Sequence, residues 1–408
     1  MVSFEEARNI ILSSVSTAGV ERIHLLDAAG RVLAEDMAAP WDMPLADNSA
    51  MDGYAVNSAD CGATPCKLRV SAFLPAGARA DGVRVERGCA VRIMTGAPTP
   101  EGCDAVVPVE DTDNGDREVT LREPVAKGQH IRFRGEDVPA GAVFVRAGSI
   151  IRPPEVNMLA GFGMALVPVY RRPTVAILST GDELVELGTT PGPGEIVNSN
   201  TLSLATAVRE AGAVPLIIGI ARDTRASHLE KLGEGLKADV LITSAGVSAG
   251  DRDLVRDVLD ELGARQLFWK VGIKPGGPTA FALHGATPVF SLPGNPVSTM
   301  ITFEEFVRPA LLKMQGHRRL LRPLFKVVLR DEVRKKPGKA QIVRIRLERD
   351  NGRWYATSAG NQQTAILKTM VDAEALAVLP AEGARFPAGT EVDAHFYGNH
   401  IDLVEATP

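Results

Sequence analysis

Four carboxylates in this chain stand just beyond strand-like runs. Glu183 follows TVAILST (174–180), Asp223 follows VPLIIGI (214–220), and Asp251 and Asp253 follow DVLITSA (239–245). A fourth run, TPVFSLP (287–293), leads into the turn GNPVS (294–298). Carboxylates at neighbouring strand ends repel one another unless a cation or a basic group joins them, and an all-oxygen set points to Mg2+. A plainer reading exists for each alone, because an Asp that opens a helix caps it and suits its positive end. Before Glu183 come Thr180, Gly181 and Asp182, and a glycine there lets backbone amides approach a phosphate or a carboxylate. No Gly-Lys-Ser/Thr follows, which excludes a P-loop.

Two lysines four apart, Lys270 and Lys274, stand beside a rigid Pro-Gly-Gly turn in FWKVGIKPGGP (268–278). Ammonium groups so placed can steady a phosphate or an oxyanion such as molybdate, although solvated surface lysines have the same spelling. Pro293, Gly294 and Asn295 open a helix whose first amides suit an anion. Ser244 and Gly246 lead into Ser248 and Gly250, and residues 246–250 match G-x-S-x-G between a strand and a helix, as a hydrolase nucleophile would. No HGGG-type segment accompanies it, and a small-residue turn approaching a ligand explains the same letters. Serine hydrolysis at Ser248 is therefore the minor alternative. DNSAMDGYA (47–55) and RIMTGAP (92–98) are compact polar turns that carry little meaning alone.

The elements that must position these groups alternate in kind. Short apolar runs followed by helical stretches at 198–212, 225–237, 252–263 and 298–312 predict a doubly wound, mostly parallel α/β domain. In such a sheet ligands bind at the carboxyl ends of the strands, where the strand order switches. Leu229, Leu232 and Leu236 form one helical stripe, and Leu254, Val255, Val258, Leu259 and Leu262 another. At the start, Ser3 with Glu6 predicts a capping box, and Ala7, Ile10, Ile11 and Val15 predict the buried face. Residues 40–136 lack helical period and read as a small β domain. After the linker QGHRRLLRPL (315–324) a second β-rich region follows, with a hairpin at Asn351-Gly352.

The chain has 408 residues with 45% hydrophobic and 23% charged, the balance of an ordinary globular protein of several domains. Its formal charge is −5, and its most basic stretch is only HRRLLR (317–322), so no nucleic-acid partner is expected. No apolar stretch approaches the ~20 residues of a membrane span. MVSFEEARNI lacks the basic start and apolar core of a secretion signal, and the four cysteines, all within the first 110 residues, read as reduced thiols. A cytoplasmic protein is expected.

Together the segments resemble the molybdopterin molybdenumtransferases, the family of MoeA and the gephyrin E domain. The strings that carry the resemblance run in order: NSAMDGYA (48–55), RIMTGAP (92–98), DAVVPVE (104–110), RGEDV (134–138), STGDEL (179–184), GVSAGDRD (246–253), FWKVGIKPG (268–276) and SLPGNPVS (291–298). The resemblance implies Mg2+-dependent insertion of molybdate into adenylylated molybdopterin with release of AMP. It implies an elongated N-terminal α+β domain (1–39 with 137–170), an inserted β domain (40–136), a molybdopterin-binding α/β domain (171–316) and a C-terminal β-barrel (317–408). It also implies a homodimer with a composite active site, and a molybdopterin adenylyltransferase as supplier of the substrate.

Carried over by position, Asp52, Thr95, Glu183, Lys270 and Lys274 are the catalytic set. Glu183, Asp223 and Asp253 are the metal set. Substrate binding falls to Arg132, Asp137, Thr180, Gly181, Asp182, Ser244, Gly246, Ser248, Gly250, Pro293, Gly294 and Asn295. Three segments depart from the family pattern. Gly277 stands where a lysine is common, SAGVSAG (244–250) replaces SGGVSVG, and Ala365-Ile366-Leu367-Lys368-Thr369 replaces a Gly/Ser-rich stretch. The last puts the C-terminal contribution to the site, including Arg344 or Arg346, in question. A non-catalytic molybdopterin-binding scaffold is the main alternative function.

Overall fold

The first helix, α1 (Phe4–Ser14), starts as its sequence dictates. Ser3 accepts a hydrogen bond from the Glu6 amide, and the Glu6 carboxylate accepts one from the Ser3 amide. Ala7 and Ile11 are buried, and burial of a side chain such as Ile11 is worth about 1.5–3 kcal/mol. The computed structural model describes residues 1–246 and 254–398. These form two compact units: residues 1–23, 30–34 and 168 onward, and residues 24–29 with 35–167. Helix α1 lies with the first unit, and residues 35–39 and 137–167 lie with the second.

The second unit is built on a five-stranded sheet. Its neighbouring pieces, in chain order, are β1 (Asn48–Ser49), β2 (Gly53–Val56), β3 (Cys66–Leu74), β4 (Cys89–Ile93), β5 (Ala105–Pro108), β6 (Glu118–Leu121) and β7 (Ile131–Arg132). The sheet order is β5-β2-β4-β3-β6, and β1 pairs separately with β7. Pro153-Pro154 open α2 (Pro153–Gly161), with proline in its first turn where no amide hydrogen is needed.

In the first unit the α/β alternation holds. Strands β8 (Thr174–Thr180), β9 (Val214–Ala221) and β10 (Val240–Ser244) are followed in the chain by β11 (Arg265–Phe268), β12 (Ile273–Lys274), β13 (Ala280–His284) and β14 (Thr287–Leu292). The sheet order is β9-β8-β10-β14-β13-β11, parallel across the first four and antiparallel across the last three. The antiparallel strands β11 and β13 escaped the sequence reading, because each is short. Helices α3 (Ser199–Glu210), α4 (Arg225–Gly235), α5 (Leu254–Glu261), α6 (Pro296–Thr302) and α7 (Arg308–Met314) cover the sheet, with a π-helical turn at Phe303–Val307. Val175 and Ile177 of β8 join the core under α3, α7 and α1, while Ala176 and Leu178 join that under α4 and α5. That alternation is the signature of a strand buried on both faces.

Strand β9 departs from expectation. VPLIIGI reads as a buried run, yet it is the sheet edge, and Val214, Leu216 and Ile217 are 41%, 41% and 54% exposed. The C-terminal region is a closed five-stranded barrel. Strands β15 (Phe325–Leu329), β16 (Ala340–Asp350), β17 (Arg353–Ser358), β18 (Ala375–Leu379) and β19 (Glu391–Phe396) pair in the ring β16-β17-β15-β19-β18, which closes back onto β16. The Asn351-Gly352 hairpin is present between β16 and β17, with both residues at positive φ (48° and 77°) as a type I′ turn requires.

One carboxylate ties the starts of two central strands. Asp239, next to β10, accepts both forks of Arg171 (2.8 and 2.7 Å) and the amide and hydroxyl of Thr174 at the head of β8 (both 2.7 Å). Chiefly through the Arg171 bond, its pKa falls from 3.8 to about 2. A carboxylate depressed on folding stabilises above its unfolded pKa, and that stabilisation is lost as pH falls through the folded value. Thermal midpoints followed from pH 4 to pH 2 are therefore expected to fall more steeply in the wild type than in Asp239→Asn, which starts lower.

Candidate active site in the α/β unit

Strand order reverses between β8 and β10, since β9 lies on one side of β8 and β10 on the other. At their carboxyl ends lies a cavity of about 620 Å3. Thr180, Glu183, Ser244, Gly246, Pro293, Gly294 and Asn295 line it, seven of the positions singled out by sequence. Ser179 and residues 198–200 also line it and were not singled out. Asn198 is the N-cap of α3, its side chain accepting from Thr201 N. Asn200 is a strut: its Nδ2 donates to Ser244 Oγ and to the Gly294 carbonyl, both at 2.8 Å. The Gly294 carbonyl can only accept, which fixes the orientation of this amide. Beneath the same turn, Thr299 Oγ1 donates to the Pro293 carbonyl.

The acidic turn has a defined construction. Gly181 sits at φ 138°, and a Cβ there would fall 2.2 Å from Oε2 of Glu183. The Glu183 carboxylate thus folds over Gly181, whose positive φ suits glycine. Asp182 and Asp223 hold each other: Asp223 N donates to Asp182 Oδ1 at 3.0 Å, and Asp182 N to Asp223 Oδ2 at 3.4 Å. Gly181, Asp182 and Asp223 are not among the residues that line the cavity. Lys270 and Lys274 are exposed and also outside the lining. Ser248, Gly250, Asp251 and Asp253 lie outside the described residues.

A metal was expected at this turn. Among the described residues no three His, Cys, Asp or Glu side chains converge. Mg2+ commonly takes only one or two carboxylates and completes its shell with water and phosphate oxygens, so the oxygen donors Glu183 and Asp223 fit it without a full protein cage.

Ala245 carries the sequence departure noted above. Its φ is 76°, a left-handed conformation that costs a non-glycine residue about 1–2 kcal/mol. Its neighbour Gly294 is confined in turn, because a Cβ there would lie 3.0 Å from Ala245 Cβ. Ala245→Gly is expected to raise the unfolding free energy by up to about 1 kcal/mol, after the entropy of the added glycine is subtracted. A lower urea midpoint in the variant would contradict that.

The C-terminal region does reach this cavity, through Ala365. Lys368 instead pairs with Asp372, and Thr369 is buried. Arg344 is fully buried, donates Nη2 to the carbonyls of Asn361 and Gln363, and has its pKa pulled down by burial. Arg346 pairs with Asp372.

In the other unit, the strings around Asp52 and Thr95 meet. Thr95 donates its amide and hydroxyl to Asp52 Oδ1 at 2.6 and 2.7 Å, and these bonds lower the Asp52 pKa. Gly53 follows because a Cβ there would fall 1.9 Å from the Val107 carbonyl oxygen on β5. Ser49 exchanges backbone bonds with Gly96 and Ala97, and Asn48 of β1 stands opposite Arg132 of β7. Asp137 donates its amide to the Met43 carbonyl and is exposed.

Three family models cover nearly all of the chain. Residues 2–163 match the MoeA N-terminal region (domains I and II), 176–313 a probable molybdopterin binding domain, and 326–397 the MoeA C-terminal region (domain IV). The chain belongs to the MoeA family. It is 38% identical over 402 residues to molybdopterin molybdenumtransferase 2 of Mycobacterium tuberculosis, covering 96% of this chain and 98% of that one. It is 35% identical over 407 residues to molybdopterin molybdenumtransferase of Haemophilus influenzae, covering 98% and 100%. The crystal structure of the molybdopterin biosynthesis MoeA protein of Pyrococcus horikoshii OT3 superposes with a TM-score of 0.82 at 30% identity, over 97% of this chain and all of that one. MoeA membership accounts for the barrel and the sheet order together. No helix among the described residues is long and apolar enough to cross a membrane.

Proposed function

We propose that this MoeA-family chain is a molybdopterin molybdenumtransferase that works in molybdenum cofactor biosynthesis, inserting molybdate into adenylylated molybdopterin and releasing AMP. The observation that carries this reading is the cavity at the strand-order switch, lined by Thr180, Glu183, Ser244, Gly246 and the 293–295 turn. Hydroxyls and backbone amides there suit the pterin phosphate. Glu183, Asp223 and Asp253 are the oxygen donors for Mg2+, which when bound offsets the charge of a pyrophosphate. Lys270 and Lys274 steady the anionic reactants, and Asp52, Thr95, Arg132 and Asp137 belong to the part of the site on the β unit.

Cleavage of a pyrophosphate in such a site needs mainly positioning and electrostatic stabilisation. The apolar edge strand β9, with Val214, Leu216 and Ile217 exposed, supports the reading of a homodimer. The test is AMP release from adenylyl-molybdopterin. Release that requires both molybdate and Mg2+, and that Lys274→Ala abolishes, is expected. Tight pterin binding without any turnover would instead make the chain a scaffold.

A further inference from the structure

In the turn that carries Glu183, Glu183 O accepts from Ile196 N at 2.9 Å. Gly181 O, Asp182 O and Leu184 O meet a side chain. All three converge on one nitrogen: Arg222 Nη1 lies 3.4, 3.2 and 3.0 Å from them. Arg222 is itself anchored at the start of α4, where its amide donates to Ser227 Oγ and its carbonyl accepts from Thr224 N. The reciprocal Asp182–Asp223 bonds lie beside it and bind the same two segments.

We propose that Arg222 is a positioning residue, whose guanidinium gathers the Gly181, Asp182 and Leu184 carbonyls and thereby fixes where Glu183 presents its carboxylate to the cavity. This rests on the transferase reading only for its kinetic consequence. A cation is suited to the task, because three carbonyl dipoles with their negative ends together repel unless a positive donor joins them. The geometry uses a single nitrogen rather than the bidentate fork. A lysine ammonium, with three donors on one atom, can therefore serve in its place, and a neutral side chain of similar length cannot.

The test compares Arg222→Met with Arg222→Lys. A misplacement of about 1 Å at a reacting group can cost about 100-fold, so Arg222→Met is expected to lower kcat for AMP release by about that factor. The pterin dissociation constant and the thermal midpoint are expected to stay as in the wild type, and Arg222→Lys to recover most of the rate. Hydrogen exchange of the 181–186 peptide is expected to quicken in the Met variant alone. Unchanged rate and unchanged exchange in Arg222→Met overturn the inference. So does equal loss of rate in both variants without faster exchange, which makes the guanidinium a substrate contact. If the wild type releases no AMP, the transferase reading fails, and the exchange measurement still decides the role of Arg222.

Discussion

Glu183→Gln is expected to lower kcat for AMP release by about 100- to 1,000-fold, the scale seen when one preorganised electrostatic group is removed from an active site. The substitution keeps the size of the side chain and removes its charge. In the native turn that carboxylate lies folded over Gly181. The pterin dissociation constant is expected to change little, since Thr180, Ser244 and the 293–295 turn remain. Raising Mg2+ is expected to recover part of the loss. Single-turnover AMP release over a Mg2+ series measures this, and unchanged turnover in Glu183→Gln removes Glu183 from the catalytic set.

The largest effect on stability is expected at Glu305. This glutamate sits in the π-helical turn, is 4% exposed, and joins three distant parts of the chain. Arg8 Nη2 of α1 donates to its Oε2 at 2.6 Å, and His395 Nε2 of β19 lies 2.8 Å from its Oε1. The other nitrogen of His395 faces the Phe396 carbonyl at 3.0 Å. Both neighbours of the ring can only accept, so the ring must donate twice and is the imidazolium. Burial by itself pulls the His395 pKa down, but the hydrogen bond and charge of Glu305 outweigh it and raise the value. Burial by itself pushes Glu305 up, but His395 and Arg8 outweigh it and lower the value.

Removing one member of a buried ion cluster strands the others. Glu305→Ala is therefore expected to cost about 3–5 kcal/mol of stability, read from the urea midpoint. The pH dependence follows from the two shifts. The His395 contribution is fully present below its ordinary value of 6.5 and is lost as pH rises through its raised folded value. The Glu305 contribution is present above 4.5 and is lost as pH falls through its lowered one. Wild-type stability is expected to decline as pH rises beyond 6.5, and Glu305→Gln to lose that part of the slope. A variant with the wild-type slope contradicts the imidazolium assignment.

Local chemistry made much of this legible in the sequence. The Ser3–Glu6 box, the proline pair opening α2 and the Asn-Gly hairpin each act within a few residues, and each is present. The strand ends around Thr180 and Ser244 were legible because a doubly wound sheet has one kind of switch point. What stayed hidden depends on distance along the chain. Arg8, Glu305 and His395 are far apart in sequence, and nothing in their neighbourhoods names a partner. Arg222 reads as any exposed arginine until the turn at 181–184 is seen wrapped around it. Strand β9 misled because a hydrophobic run does not reveal whether its sheet continues beyond it. Lys270 and Lys274 are exposed and outside the cavity lining, and their spelling alone does not say what they meet.

The central claim is that the switch-point cavity is where the anionic reactants bind. A crystal soaked with Mg2+, AMP and molybdate tests it most directly. Density for the anions against Thr180, Glu183, Ser244 and the Pro293–Asn295 turn is the predicted result. Anions ordered elsewhere on the molecule, with only solvent in this cavity, would contradict it.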